Sequence, residues 1–140
     1  MEVCMRGLLL LFVCAVMVGC GAHAHRHIGT TMKPEHITEV GGYPTRIEFQ
    51  QDGYDVAVSI DRGEGTSNFK ASGEFKATTN APERYARTNV SLLLSNRGVV
   101  VCEDVLAAQT RGRDIRVSGD IVCDKPFDGA TIWYSLRYWK

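Results

Sequence analysis

The sequence predicts an all-β fold: one small antiparallel β-sandwich or barrel of about seven or eight strands, arranged as a meander and closed by one disulfide. Beyond residue 44, apolar and polar residues alternate in short runs, which is the period of half-buried strands. Turn-forming residues separate these runs at intervals of about 8–12 residues. Two cysteines remain in this region. Strands and helices do not alternate around a Gly-rich phosphate loop, which disfavours a doubly wound α/β fold.

Composition narrows the functional classes. The chain has 140 residues, with 16 Lys and Arg against 16 Asp and Glu, and 44% of its residues are hydrophobic. A balanced charge argues against sequence-independent binding of nucleic acid, because such binding needs a basic surface. The apolar fraction argues against a disordered acidic chain, and the length allows one small domain.

The clearest element is a hairpin formed by residues 45–51 and 54–60. Asp52 and Gly53 connect the two runs, and Asp-Gly is a strong hairpin signal because both turn residues adopt positive φ. A two-residue turn then pairs apolar residues with each other: Phe49 with Val56, and Ile47 with Val58. The polar residues fall on the opposite face, so both faces indicate the same register.

Further strands are predicted at residues 67–77, 88–94, 99–102, 115–123 and 130–139. Within the first of these, Gly73 indicates a bulge or the close approach of another strand. Residues 103–110 contain helix-forming residues between strand signals, so both helix and strand remain open there.

The two late cysteines predict an intramolecular disulfide. A two-residue turn at Gly112 and Arg113 places Cys102 directly opposite Cys123, as a cross-strand bond allows. The loop that this bond closes is worth on the order of 3 kcal/mol in the chain-entropy model. That is a large share of the stability of a small domain.

The N-terminus reads as a signal peptide over residues 1–19. An unbroken apolar run at residues 8–18 follows a single positive charge at Arg6. The run is short for a membrane span, which needs about 20 apolar residues. An uncleaved N-terminal anchor is the alternative.

The end of the signal resembles the lipobox of bacterial lipoproteins. Val18-Gly19-Cys20 places a small residue before a cysteine, with Met17 where leucine is usual. The resemblance implies that Cys20 is acylated, with palmitate among its lipids, and becomes the mature N-terminus. It also implies an outer-membrane lipoprotein facing the periplasm.

A second cleavage site competes with this one. Ala22-His23-Ala24 fits an A-x-A site, which would release a soluble secreted or periplasmic protein that starts at His25. With cleavage before Cys20, residues 20–44 are predicted as the lipidated N-terminus and a flexible tether; residues 45–140 are predicted as the β domain with either cleavage site.

Three histidines alternate in the tether. His23, His25 and His27 fall on one side of an extended segment, which suggests a site for zinc, copper or nickel. Incidental histidines in a tether are the alternative. If cleavage follows Ala24, the new N-terminus resembles the amino-terminal copper- and nickel-binding motif, with His27 at its third position; a lipid on Cys20 removes the free amine that this motif needs.

The domain itself shows no catalytic pattern. No histidine follows His36, so a Ser-His-Asp triad within the β domain is not expected. Cys102 and Cys123 are not a C-x-x-C redox pair. Several acids fit solvated turns better than a calcium loop: Asp104, Asp120, Asp124 and Asp128. We therefore expect no enzymatic activity and no cofactor.

Two groups of residues are candidates for binding a partner. Trp133, Arg137 and Trp139 share one face of the last strand, and these residue types are enriched in binding hot spots. The alternative is that both faces of this strand are covered. Arg111 and Arg113 form a basic cluster at a hairpin tip, which suits an acidic partner or lipid headgroups; exposed turn charge is the alternative.

These features predict a non-catalytic envelope lipoprotein that is a binding or assembly accessory at the outer membrane. It is similar in architecture to pilotins and assembly lipoproteins, with a lipid anchor in the membrane and a protein partner in the envelope. A periplasmic inhibitor of a hydrolase such as lysozyme is an alternative, acting through loops 61–66 or 111–114. Metal binding by the histidine segment is a second alternative.

Overall fold

The computed structural model describes residues 27–81 and 87–137, with the backbone alone for residues 87, 88, 136 and 137. The predicted all-β fold is confirmed. The described strands are β1 (Thr38–Glu39), β2 (Thr45–Gln51), β3 (Tyr54–Arg62), β4 (Asn68–Ala77), β5 (Arg87–Asn96), β6 (Val99–Arg111), β7 (Asp114–Val122) and β8 (Gly129–Arg137). A single 3-10 turn, Pro34–His36, precedes β1. None of the described helical segments is long and apolar enough to span a membrane.

The strands form one antiparallel sheet in the order β1-β8-β5-β6-β7-β4-β3-β2, which curls into a nearly closed barrel. Strand β6 connects its two halves. Residues 99–106 of β6 pair with β5, whereas residues 107–111 pair with β7. The barrel therefore consists of one half-sheet of β1, β8, β5 and early β6, and another of late β6, β7, β4, β3 and β2.

The predicted β2–β3 hairpin is confirmed in its register. Phe49 pairs with Val56 and Ile47 with Val58, and Val56 and Val58 are buried. The turn residues Asp52 and Gly53 have φ values of 53° and 82°, as the Asp-Gly turn requires.

Strand β4 contains the close approach that Gly73 indicated. A Cβ atom at Gly73 would lie 2.1 Å from the carbonyl oxygen of Ala57 on β3. Any side chain there would force the two strands apart. The glycine is therefore required by the β3–β4 pairing rather than by a turn.

Residues 103–110, left open between helix and strand, belong to strand β6. Their alternation decides the outcome: Leu106 faces the core and is buried, whereas Val105 is exposed. Pairing with β5 on one side stabilises this extended conformation over the local helix propensity.

A register shift at Leu94 and Ser95 marks a bulge, because the pairing passes from Cys102 to Val100 and skips Val101.

The predicted disulfide between Cys102 and Cys123 is present, with Cα atoms 5.8 Å apart. The register that placed the two cysteines in one ladder is wrong beyond Ala107. The β6–β7 pairing stops at Ala107 and Ser118, and the β6–β5 pairing begins at Leu106. The disulfide thus joins β6 to the residue that follows β7, beyond the point where the two strands have separated. We call this gap between early β6 and late β7 the closed seam.

The first described residues lie on the barrel instead of forming a flexible tether. We call residues 27–40 the N-terminal strap. Met32 donates its backbone N–H to Gly98 (2.7 Å), and Val100 donates to Thr30 (3.0 Å). At the other end, Val40 donates to Asp128 (2.9 Å). Residues 27–40 of the predicted tether are therefore held on the barrel, and the strap binds the edge of β6 that β7 leaves.

The strap also explains a second buried layer. Side chains alternate along β5, so Leu92 and Leu94 face the barrel interior and Leu93 faces outward. Leu93 is nevertheless only 1% exposed. The outward-facing Glu103 and Thr131, its neighbours on β6 and β8, are buried too. This outer face is covered by the strap, which bonds to both neighbours.

Candidate functional site

The barrel has a second gap, between β2 and β8, which we call the open seam. Strand β1 pairs with only the first two residues of β8, Gly129 and Ala130, so it does not bridge the gap. A cleft of about 450 Å³ occupies the open seam. It is lined by residues 47–52 on one side, residues 131–134 on the other, and strap residues between 32 and 38. A cleft of this volume is within the usual range for ligand sites.

The outer edge of β2 forms one wall of this cleft. In the described part of the chain, β2 pairs with β3 alone. Gln51 and Tyr54 flank a two-residue turn, so they form a hydrogen-bonded pair, and bonded and non-bonded pairs alternate from there. The backbone N–H and C=O groups of Arg46, Glu48 and Gln50 therefore point away from β3 and into the open seam.

Aromatic rings form the floor of the cleft. Phe49 of β2 stacks on Tyr134 of β8 across the gap, with ring centroids 6.4 Å apart and an angle of 18° between the planes. Phe75 meets Tyr134 edge-on at 5.1 Å. The Tyr134 hydroxyl donates a hydrogen bond to Asp52 Oδ2 (2.9 Å). These contacts join the two walls by side chains, where a continuous barrel would have a backbone ladder.

The rim of the cleft carries more negative than positive charge. Three exposed carboxylates line it, those of Glu35, Glu48 and Asp52. Among the residues that line the cleft, His36 is the histidine. Arg46, just outside the cleft, forms an ion pair with Glu48. The side chains at the rim thus suit a ligand with cationic groups.

Trp133 lies at the upper edge of the same cleft. As predicted, Trp133 lies on the face of β8 opposite its apolar face. Ile132 is buried in the core, and Trp133 is half-buried on the other side. The imidazole of His27 packs against its indole, with ring centroids 5.0 Å apart. Arg137 ends β8, with only its backbone described, and Trp139 lies outside the described residues.

The arginine cluster lies at the β6–β7 turn, far along the chain from the open seam. Arg111 is exposed and pairs with Asp114 in the ladder. The guanidinium of Arg113 donates hydrogen bonds to the carbonyl oxygens of Thr78 (3.3 Å) and Ala81. Arg113 therefore attaches the β6–β7 turn to the chain that follows β4.

His27 makes a specific contact that the sequence did not predict. Its Nδ1 lies 2.6 Å from Glu103 Oε1, and its backbone N–H donates to Glu103 Oε2 (2.9 Å). The Glu103 side chain is only 3% exposed, so His27 provides two partners to a buried carboxylate. His23, His25 and Cys20 lie outside the described residues. Within the described residues, no cluster of three or more His, Cys, Asp or Glu side chains could hold a metal ion.

Sequence reasoning singled out Trp133, which the structure places at the cleft, and missed both the β2 edge and Glu103. Alternation assigns Glu103 to the outward face, where a carboxylate is usually solvated. No local signal reports that the strap covers it. The open seam depends on which strands end the sheet, and that order is not encoded in any one strand.

Comparisons with known proteins give no relative. No protein-family model matches the chain, and no curated protein or solved structure matches it.

Proposed function

We propose that this protein is a non-catalytic lipoprotein of the bacterial envelope that binds an extended segment of a partner protein at the open seam. The lipobox-like end of the signal supports an acyl anchor on Cys20 and a place at the outer membrane. The binding mode is strand addition, in which a peptide joins the edge of an existing sheet. The β domain then serves as the accessory module that the anchor holds at the membrane.

The outer edge of β2 is the observation that carries this proposal. Arg46, Glu48 and Gln50 direct backbone donors and acceptors into a cleft that already has an aromatic floor. An exposed strand edge is a template for another strand, and proteins usually block such edges by charge, proline or a covering segment. Here β2 carries charged residues but no proline, and within the described residues its outer edge is paired with no strand.

The side chains of the cleft define the chemistry of the partner. A peptide strand beside β2 presents alternate side chains to opposite faces. One set would meet Phe49 and Tyr134, which favours apolar or aromatic residues. The other would meet the carboxylates of Glu35 and Glu48, which favours lysine or arginine. The best-matched partner segment is extended, with alternating basic and apolar residues.

A synthetic peptide with alternating lysine and valine or tyrosine tests this binding mode on the mature protein. We expect saturable binding by calorimetry. Glu48→Pro removes one N–H that points into the open seam, without touching a bond to β3, so we expect an affinity roughly fivefold lower, since one hydrogen bond is worth about 1 kcal/mol.

Glu48→Ala is the matched control, because it removes the same side chain and keeps the N–H. We expect Glu48→Ala to bind more tightly than Glu48→Pro when both unfold at similar temperatures. Equal affinities for the two variants would contradict strand addition at β2. The same peptide N-methylated at alternate residues should not bind, and a glutamate version should bind more weakly than the lysine version.

The anchor is tested separately by the intact mass of the natively exported protein. A chain that begins at acylated Cys20 supports the lipoprotein assignment. A chain that begins at an unmodified His25 contradicts it, while leaving the seam experiment interpretable.

A further inference from the structure

A small apolar patch lies beside His27, the first described residue. Ile28, next to His27, is 40% exposed, and Val105 on β6 is 55% exposed. Trp133, half-buried, lies under the His27 ring. Val105 and Trp133 both pair with Ser91 of β5, on either side of it, so they share one outward-facing row of the half-sheet. We call Ile28, Val105 and Trp133 the arrival patch.

The chain is fixed at this patch by several bonds. Glu103 accepts the backbone N–H of His27 and contacts its imidazole, both at less than 3 Å. Two residues later, Gly29 donates to the carbonyl oxygen of Val100 (2.9 Å). From His27 onward, the described chain is therefore held on the barrel beside Trp133 and Val105.

The remaining length is short. Cys20 lies seven residue steps before His27, and a fully extended chain spans at most about 3.6 Å per step, so the two are at most about 25 Å apart. A tether that was free to residue 44 would have reached about 85 Å by the same measure. A lipid on Cys20 thus keeps His27, which lies beside the arrival patch, within about 25 Å of the membrane surface.

We infer that the arrival patch rests on the phospholipid surface that holds the anchor. This inference depends on the acylation of Cys20 in the proposed function. Tryptophan is favoured at the membrane interface because its ring is apolar and its N–H is polar. Exposed Ile28 and Val105 extend the apolar contact beside it. The barrel then has a fixed orientation, with the half-sheet of β8, β5 and early β6 toward the lipid.

Two exposed valines allow a matched test of this orientation. Val105 lies in the half-sheet with β5 and β8, whereas Val122, which is 67% exposed, lies on β7 in the other half-sheet. Val105→Trp and Val122→Trp are each placed in a Trp133→Phe, Trp139→Phe background, so each protein has one indole. Both lipidated proteins are incorporated into phosphatidylethanolamine–phosphatidylglycerol vesicles that contain lipids brominated near the headgroup end of the acyl chain.

We expect the indole at position 105 to lose most of its fluorescence to the brominated lipid, and the indole at position 122 to keep its fluorescence. Equal quenching at both positions, or none at 105, would overturn the orientation. The Trp139→Phe protein, which keeps Trp133 as its only indole, gives a second reading with no new side chain in the patch. It should also be quenched.

Failure of the anchor and failure of the orientation give different results. If intact mass shows no lipid on the exported chain, the anchor proposal fails. The orientation is then read on the same chain from residue 20 onward, coupled through the Cys20 thiol to a maleimide lipid, because Cys102 and Cys123 are already bonded to each other. Unequal quenching in that protein still supports the arrival patch, and equal quenching still rejects it.

Discussion

Each seam of the barrel is a gap between two strand segments, but different contacts hold the two seams together. At the closed seam, early β6 parts from late β7; the Cys102–Cys123 bond crosses the gap and the strap pairs with the edge of β6. At the open seam, β2 and β8 face each other through aromatic contact and one exposed hydrogen bond, from Tyr134 to Asp52. A covalent bond crosses the closed seam, and backbone bonds hold the strap against its β6 edge; the described contacts across the open seam are made by side chains.

The difference separates stability from binding. Backbone groups that are already bonded within the protein stabilise the fold. An edge whose backbone groups remain available can accept another chain. Elements that must open or adapt are generally drawn from the less stable parts of a protein. We therefore expect substitutions at the closed seam to lower the free energy of unfolding, and substitutions at the open seam to change binding with little effect on folding.

The largest effect on the free energy of unfolding is expected from removing the disulfide at the closed seam. Cys102→Ala with Cys123→Ala releases a 21-residue separation, for which the chain-entropy model gives a loss of about 3 kcal/mol. Denaturant unfolding measures this loss. Where the variant is folded, its affinity for the lysine–valine peptide should match that of the parent. A large loss of affinity in the folded variant would mean that the two seams are coupled.

A smaller loss is expected from detaching the strap. His27→Ala removes the imidazole from the buried carboxylate of Glu103 and leaves it the backbone N–H of residue 27, which should cost about 1–3 kcal/mol. Adding Glu103→Gln removes the buried charge and should recover part of the loss. Thermal unfolding of the two variants checks this. Identical stability of His27→Ala and the parent would show that the strap does not rely on this pair.

The smallest effect is expected at the open seam. Tyr134→Phe removes the hydroxyl that donates to Asp52, an exposed carboxylate that water can solvate instead, so the free energy of unfolding should change by no more than about 0.5 kcal/mol. Phe at this position keeps the ring contacts with Phe49 and Phe75. A loss as large as that from His27→Ala would show that the open seam is a structural closure after all.

Local chemistry made the hairpin and the disulfide predictable. Asp52-Gly53 dictates its turn, and the turn with alternation dictates the register of β2 on β3. Two cysteines in a domain that the sequence predicts to be exported favour a bond between them. Each of these features depends on residues within a few positions or on a single pairing.

The rest depended on contacts that are distant in the chain. His27 and Glu103 are 76 residues apart, and nothing beside either one marks it as buried. Residues 27–40 looked like a tether because an irregular strap uses backbone bonds rather than a hydrophobic pattern. Trp133 was recognisable by residue type, but the β2 edge became visible only when the order of the strands placed it at the end of the sheet.

Amide hydrogen exchange on β2 tests the proposed binding edge most directly. With the lysine–valine peptide bound, we expect slower exchange at Arg46, Glu48 and Gln50, whose N–H groups point into the open seam. Ile47 and Phe49 already donate to β3 and should change little. Unchanged exchange at the three outward amides under saturating peptide would contradict strand addition at the open seam.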